Sequence, residues 1–245
     1  MLRLAIIVPT YNEVNNVQTL VASIADAGRL CVDTDVTVVI IDDSSPDGTA
    51  AAVEKLAPSL VTDSFRIRTI VKPEKRGLGA AYVYGFERIA ADEFDYVLQM
   101  DADLSHDPKY IPEFVARAKA GIELVVASRY IQGGGTPDWA FNRRFLSRGG
   151  NFYARTVLSP RITDWTGGFN MYSAALLKRI TPATITADGY GFMLALKYRA
   201  LRAATSIGEI PIVFLDRTMG TSKMPSNTLI RNFVLALKLR LRREE

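Results

Sequence analysis

Two textures of apolar residues alternate along the first half of the chain. Short, nearly unbroken apolar runs occupy residues 4–8, 36–41, 67–71, 94–100 and 123–127. Each suits a strand buried on both faces. Between them, apolar residues recur at helical spacing. Val17, Leu20, Val21 and Ile24 form one such set, with Gly28 as a stop. A glycine-opened helix follows over 78–91. Ile111, Phe114, Val115 and Ala118 share a face of a helix opened by Asp107-Pro108 and closed by Gly121. Pro112 fits only a first turn, so that helix starts a residue or two late. Ser45-Pro46-Asp47-Gly48 is a turn, with proline presetting one dihedral and glycine supplying the positive one. The alternation predicts an α/β fold, a mostly parallel sheet flanked by helices.

The second half is less regular. It reads as a turn at Gly133-Gly134-Gly135, an arginine-rich helix over 142–158, and a turn over 164–169 entering a short strand. A helix over 190–204, a strand over 207–215, a polar loop over 216–225 and a closing helix follow. The organisation expected is one catalytic domain, 1–225, and a basic amphipathic helix, 226–245.

In open parallel sheets ligands bind beyond the carboxyl ends of the strands. The polar segments lie there. Strand one ends in Pro9-Thr10-Tyr11-Asn12-Glu13 and strand two in a stretch opened by Asp42-Asp43. Strand three runs into Lys72-Pro73-Glu74-Lys75-Arg76-Gly77, and strand five into Ser128-Arg129-Tyr130. Strand four delivers Asp101 and Asp103, one residue apart. Paired acids ending an apolar strand are costly without a cation. Mg²⁺ or Mn²⁺ carrying a diphosphate fits, because such ions take one or two carboxylates and complete their shell with phosphate and water.

Composition narrows the picture. The 245 residues are 48% hydrophobic, enough for one sizeable core, and the net charge is +4. Cys31 is the single cysteine, which excludes an internal disulfide and argues for a packing role in a reducing compartment. No apolar run reaches the roughly 18–20 residues that span a bilayer. One histidine and no Ser/His/Asp arrangement leave no nucleophilic triad, and His106 reads as a hydrogen-bonded loop residue. Gly77-x-Gly79 has a dinucleotide-binding look, but Tyr82 fills the third glycine position. Basic residues crowd two regions, Arg129 through Arg161 and Arg231 through Arg243. No nucleic-acid-binding motif accompanies them. In the tail, Ile230, Phe233, Val234, Leu237 and Leu241 form a stripe, with Arg231, Lys238 and Arg242 elsewhere. A peripheral contact with the cytoplasmic face of an anionic membrane is the reading preferred over a helix packed on the body.

Pro9 to Glu13, Asp42 to Gly48, Gly77 to Ala81, Asp101 to His106, Ser128 to Tyr130 and Ser222-Lys223-Met224 occur in this order over nearly the whole chain. In that combination the chain resembles the polyprenol-phosphate (dolichol-phosphate) mannose synthases of glycosyltransferase family 2. The resemblance implies a GT-A fold, a nucleotide-sugar donor (usually GDP-mannose), a divalent metal and a polyprenyl-phosphate lipid acceptor. It implies that Pro9, Tyr11 and Glu13 line the nucleoside pocket, with Asp42 or Asp43 bonding the base. Gly77, Leu78, Gly79 and Ala80 would let backbone approach the nucleotide. Asp101 and Asp103 would hold the metal, with Ser105 nearby. Arg129, Arg143 and Ser147 would hold the acceptor phosphate, and Arg217 and Lys223 the donor diphosphate. An integral membrane anchor subunit is a further partner it allows.

The chain departs from that pattern once. Relatives often follow the Gly-Tyr-x-Phe segment with Gln-x-Glu, where this chain has Met193-Leu194-Ala195. The departure keeps a UDP-linked glucose or N-acetylhexosamine open as donor. A catalytically silent sugar-nucleotide-binding subunit and a soluble nucleotidyltransferase are the readings from other classes. Trp139, Trp165 and Phe169 are read either as core residues or as guards of a lipid entrance.

Overall fold

The structure is a computed structural model that describes residues 1–90, 92, 94–187, 189–214 and 228–241. Its centre is a seven-stranded sheet in the order β3-β2-β1-β4-β6-β5-β7. The strands are β1 (Leu2–Thr10), β2 (Thr34–Asp42), β3 (Phe65–Val71), β4 (Tyr96–Gln99), β5 (Leu124–Ser128), β6 (Asn170–Ser173) and β7 (Ile207–Pro211). β1 to β4 pair in parallel, as do β5 and β7. β6 runs antiparallel to both neighbours, with Gln99 opposite Asn170. The mostly parallel α/β architecture expected from the sequence is the one observed.

Strand side chains alternate between two apolar layers. Leu4, Ile6 and Val8 pack with α1 (Val14–Arg29) and α4 (Ile111–Lys119) through Leu20, Ile24 and Phe114. Ala5 and Ile7 pack on the other side with α3 (Leu78–Ile89) and α7 (Tyr190–Ala203) through Tyr82, Phe86 and Phe192. Both faces are covered, so the strands read as unbroken apolar runs rather than alternating ones. Each fully buried aliphatic side chain contributes about 1.5–3 kcal/mol.

Two helices escape the sequence reading. α2 (Thr49–Leu56) is two turns long and fully buries only Thr49 and Val53, with Ala52 and Leu56 partly covered. α6 (Ala174–Ile180) is two turns long, capped by Ser173, whose hydroxyl accepts from the Leu176 N–H at 3.1 Å. The last strand also stops sooner than read, at Pro211.

The second half adds α5 (Phe141–Val157) and α8 (Thr228–Leu241). α8 packs on the body: Ala236 and Leu239 are buried, and the Tyr153 hydroxyl of α5 donates to Phe233 O at 3.0 Å. Val234, Leu237 and Leu241 stay exposed. Cys31 is buried, its thiol donating to Ala27 O and pushed up to about 11 by burial, which fits packing rather than reaction. No helix among the described residues is long and apolar enough to cross a membrane.

Candidate active site

The carboxyl ends of β1, β2 and β4 reach the same edge, and each is followed by a sharp bend. Asn12, Ser44 and Leu104 hold positive φ of 55°, 61° and 63°. A non-glycine residue pays about 1–3 kcal/mol for such a conformation, which clusters at functional sites. The bends frame a cleft of about 480 Å³. Pro9, Tyr11, Glu13, Asp43, Gly77, Leu78, Asp101 and Asp103 all line it. Residues from four separate segments, singled out in the sequence, thus meet in one cavity.

Asp101 and Asp103 are held differently. The Tyr82 hydroxyl lies 3.4 Å from Asp101 Oδ1. Burial, reinforced by the Asp101 charge, raises the Tyr82 phenol well above its ordinary range, so it remains a donor. The Asp101 N–H donates to His106 Nδ1 at 2.9 Å, which places the imidazole proton on Nε2. His106 is buried and stacks on Phe169 with centroids 4.8 Å apart. It is the hydrogen-bonded loop histidine that the sequence suggested. Ser105 is also buried, and both its N–H and its hydroxyl donate to Asp103 Oδ1. It orients that carboxylate and is not among the residues lining the cleft.

A divalent cation fits the acids only with help. Among the described residues no three His, Cys, Asp or Glu side chains gather closely enough to hold a metal by themselves. Two carboxylates on a cleft wall match the Mg²⁺ or Mn²⁺ pattern in which phosphate oxygens and water supply the remaining ligands.

At the end of β2 the two neighbouring acids separate. Asp42 turns inward, accepting from Thr10 Oγ1 at 2.9 Å, Ser45 Oγ at 2.6 Å and the Ser45 N–H at 2.8 Å. Asp43 lines the cleft, paired with buried Lys72 and accepting the Gly77 N–H at 2.8 Å. Gly77 has φ +85°. Gly79 and Ala80 line an adjoining hollow of about 410 Å³ rather than the cleft. A Cβ on Gly79 would come within 2.8 Å of Phe192 Cβ, so this glycine serves the close packing of α3 on α7. The sequence reading passed over Lys75. Its Nζ sits 3.5 Å from the centroid of the Tyr11 ring, and it is the cation lining the cleft among the described residues. A lysine just ahead of the glycine bend was the available signal.

The three acceptor-phosphate candidates lie beyond β5. Arg129 is buried, its Nε and Nη2 bound to Asp164 at 2.7 and 2.8 Å, with Nη2 also on Thr166 Oγ1. Burial opposes ionisation of Asp164, yet the Arg129 charge and hydrogen bonds hold its carboxyl down to about 2. Lys197, fully buried on α7, donates to the carbonyls of Asp164 and Gly167 at 2.9 and 2.8 Å. These bonds clamp the segment ahead of β6, and Gly168 in that segment abuts Asp101: a Cβ there would stand 3.4 Å from Oδ2. Arg143 is exposed and stacks on Trp139, 3.9 Å from the ring centroid. Ser147 bonds the Tyr130 hydroxyl at 2.7 Å. Trp139, Trp165 and Phe169 are all buried, so the core reading holds for them. Arg217 and Lys223 lie outside the described residues.

Met193 and Ala195 are buried in the layer beneath the cleft. Gln99 Nε2 reaches Met193 Sδ at 3.7 Å, while buried Gln99 Oε1, Asn170 Oδ1 and Tyr172 OH have no hydrogen-bond partner among the described residues.

A mostly parallel sheet flanked by helices, with a paired-acid cleft at its carboxyl edge, is a GT-A-like fold, and comparison with known proteins supplies the family. Residues 5–181 match glycosyl transferase family 2, and the chain belongs to that family. It is 35% identical over 227 residues to the polyprenol monophosphomannose synthase of Mycolicibacterium smegmatis, covering 93% of this chain and 83% of that protein. It is 34% identical over 223 residues to the undecaprenyl-phosphate mannosyltransferase of Micrococcus luteus, covering 91% and 88%. Among solved structures, glucosyl-3-phosphoglycerate synthase from Mycobacterium tuberculosis with Mn²⁺, UDP and glucosyl-3-phosphoglycerate superposes with a TM-score of 0.64. Its identity is 18%, over 97% of this chain and 80% of that one, so it speaks to fold alone.

Proposed function

We propose that this glycosyltransferase moves mannose from GDP-mannose to a polyprenyl monophosphate, with inversion at the anomeric carbon. The observation that carries the reading is the meeting of Tyr11, Glu13, Asp43, Gly77, Asp101 and Asp103 in one cleft. The names of the two relatives above support the sugar and the lipid class.

Pro9, Tyr11 and Glu13 would hold the nucleoside, with Asp43 rather than inward-turned Asp42 meeting the base. Asp101 and Asp103 would hold Mg²⁺ or Mn²⁺, which when bound neutralises charge growing on the departing nucleoside diphosphate. Lys75 adds a positive charge on the same wall, and Arg217 and Lys223 are proposed to do so from the later loop. The acceptor needs no base from the protein, because a phosphate monoester with a second pKa of about 6 is already largely ionised at pH 7. Arg143 and Ser147 would position that phosphate. Arg129, already committed to Asp164, would act by holding the segment beside Asp101. With an acceptor borne by a lipid, the proposed location is the cytoplasmic face of a membrane, alone or beside an integral anchor subunit.

A second reading changes only the donor. The apolar Met193 and Ala195, where relatives often carry Gln-x-Glu, keep open a glucose or N-acetylhexosamine on a uridine carrier. Purified protein with polyprenyl phosphate and a panel of labelled sugar nucleotides separates the two. Transfer from GDP-mannose with loss of turnover in Asp103→Ala is expected. Transfer only from UDP-sugars would select the second reading, and donor binding without any turnover would reject both.

A further inference from the structure

Helix α5 carries an aromatic face that the described protein leaves uncovered. Phe141, Phe145 and Phe152 are 78%, 72% and 75% exposed. They stand four and seven residues apart, so they fall along one line of the helix. Arg144, Arg148 and Arg155 repeat the same spacing three residues later, and all are exposed. An aromatic strip and a basic strip therefore run side by side, on a helix that contains no Asp or Glu. The buried residues of α5 are Asn151 and Ala154, and Asn151 lies at the edge of the basic strip that faces away from the rings. Asn151 is fastened there, accepting the Trp165 N–H at 2.8 Å and donating to Thr166 Oγ1 at 3.1 Å.

Scattered exposed apolar residues need no explanation, but aligned ones with a polar rim mark a contact surface. The charge decides among occupants. A second copy of the chain meeting this face by two-fold symmetry would set arginines against arginines. A bilayer with anionic headgroups satisfies both strips at once, with rings in the headgroup boundary and guanidinium groups over lipid phosphates. We propose that this face of α5 seats the protein on an anionic phospholipid bilayer. The surface differs from the tail stripe that the sequence suggested, since α8 spends Ala236 and Leu239 on the body and presents no exposed aromatic ring. The inference extends the acceptor reading, because Arg143 and Ser147 on the same helix would then meet a lipid headgroup at the bilayer surface. The exposed strips themselves are argued without that reading.

Flotation of the full chain with vesicles tests it. One set is phosphatidylcholine, and the other carries about a third phosphatidylglycerol. Wild type is expected to float with the anionic set and to be released by salt. The double variant F145S/F152S is expected to lose about tenfold or more in partitioning, with an unchanged circular dichroism spectrum. R144Q/R148Q/R155Q is expected to lose the preference for anionic lipid. With a short, water-soluble acceptor phosphate, F145S/F152S is expected to turn over at the wild-type rate. Three results would overturn the proposal. Wild type fails to bind pure lipid, which would point to a protein anchor. F145S/F152S binds as well as wild type. The protein dimerises through these rings without binding vesicles. Flotation needs no donor, so absence of sugar transfer would reject the proposed function and leave this result standing.

Discussion

Arg129 and Asp164 meet inside the protein as a two-point ion pair, Nε to Oδ2 at 2.7 Å and Nη2 to Oδ1 at 2.8 Å. Both partners are buried, so removing one strands the other charge. Asp164→Asn is expected to destabilise the fold by about 3–5 kcal/mol in a denaturant titration. The double variant R129M/D164L is expected to lose less than Asp164→Asn alone, since the Arg129 guanidinium is not left buried without its carboxylate. A double variant as damaged as the sum of its single changes would contradict this account.

Lys197 adds a pH signature. Burial lowers its amine from 10.5 to about 8, although Asp164 and Glu209 favour the charged form against nearby Arg129. The unfolded chain therefore holds this proton more tightly than the folded one. Burying the charge costs stability at neutral pH, and that cost is relieved as pH rises from about 8 toward 10.5. Melting of wild type and Lys197→Met across that interval should show wild type gaining on the variant. A difference independent of pH would mean that folding does not weaken this amine's hold on its proton.

Asp101 and Asp103 have no third His, Cys, Asp or Glu side chain close enough to complete a metal site among the described residues. Mn²⁺ alone is thus expected to bind weakly, and to bind about tenfold or more tightly once a nucleoside diphosphate is present. Paramagnetic titration with and without the nucleotide reads this directly. Asp103→Asn should abolish the enhancement, and equal affinity in both titrations would remove the acids from the metal role.

Lys75 lies over Tyr11 on the donor side of the cleft. Lys75→Gln is expected to raise the donor KM about tenfold, with a smaller change in the acceptor KM. An effect confined to the acceptor would place this lysine elsewhere in the mechanism.

Two glycines should answer oppositely to alanine. Gly79→Ala drives a methyl into Phe192 and is expected to cost about 1–3 kcal/mol. Gly149 lies within α5 with nothing near its missing Cβ. Gly149→Ala is expected to add about 0.5–1 kcal/mol of stability. Thermal melts of the two variants check both signs.

The cleft itself was legible in the sequence because its residues sit at strand ends, where apolar runs stop abruptly at Pro9, Asp42 and Asp101. The part beyond β5 was not, because its logic is long-range. Nothing local to Arg129 announces that Asp164, thirty-five residues on, takes its guanidinium. Nor does Lys197, in an apolar helix, reveal that it reaches two carbonyls in another layer. Gly79 read as backbone for a ligand because the motif gives spacing but not direction, and the structure aims it at Phe192. The α5 face went unread because an arginine-rich segment looks solvated until burial shows which phenylalanines the core leaves out.

β6 enters the sheet where its neighbours leave it. Beside Asp101, chain departing from strands therefore meets chain arriving at one, through Gly168. The arriving segment between β5 and β6 can lengthen, shorten or change its chemistry while the register of β1 through β4 stays as it is. On the proposed roles, such an architecture lets a lineage retool what receives the transferred group without rebuilding what delivers it.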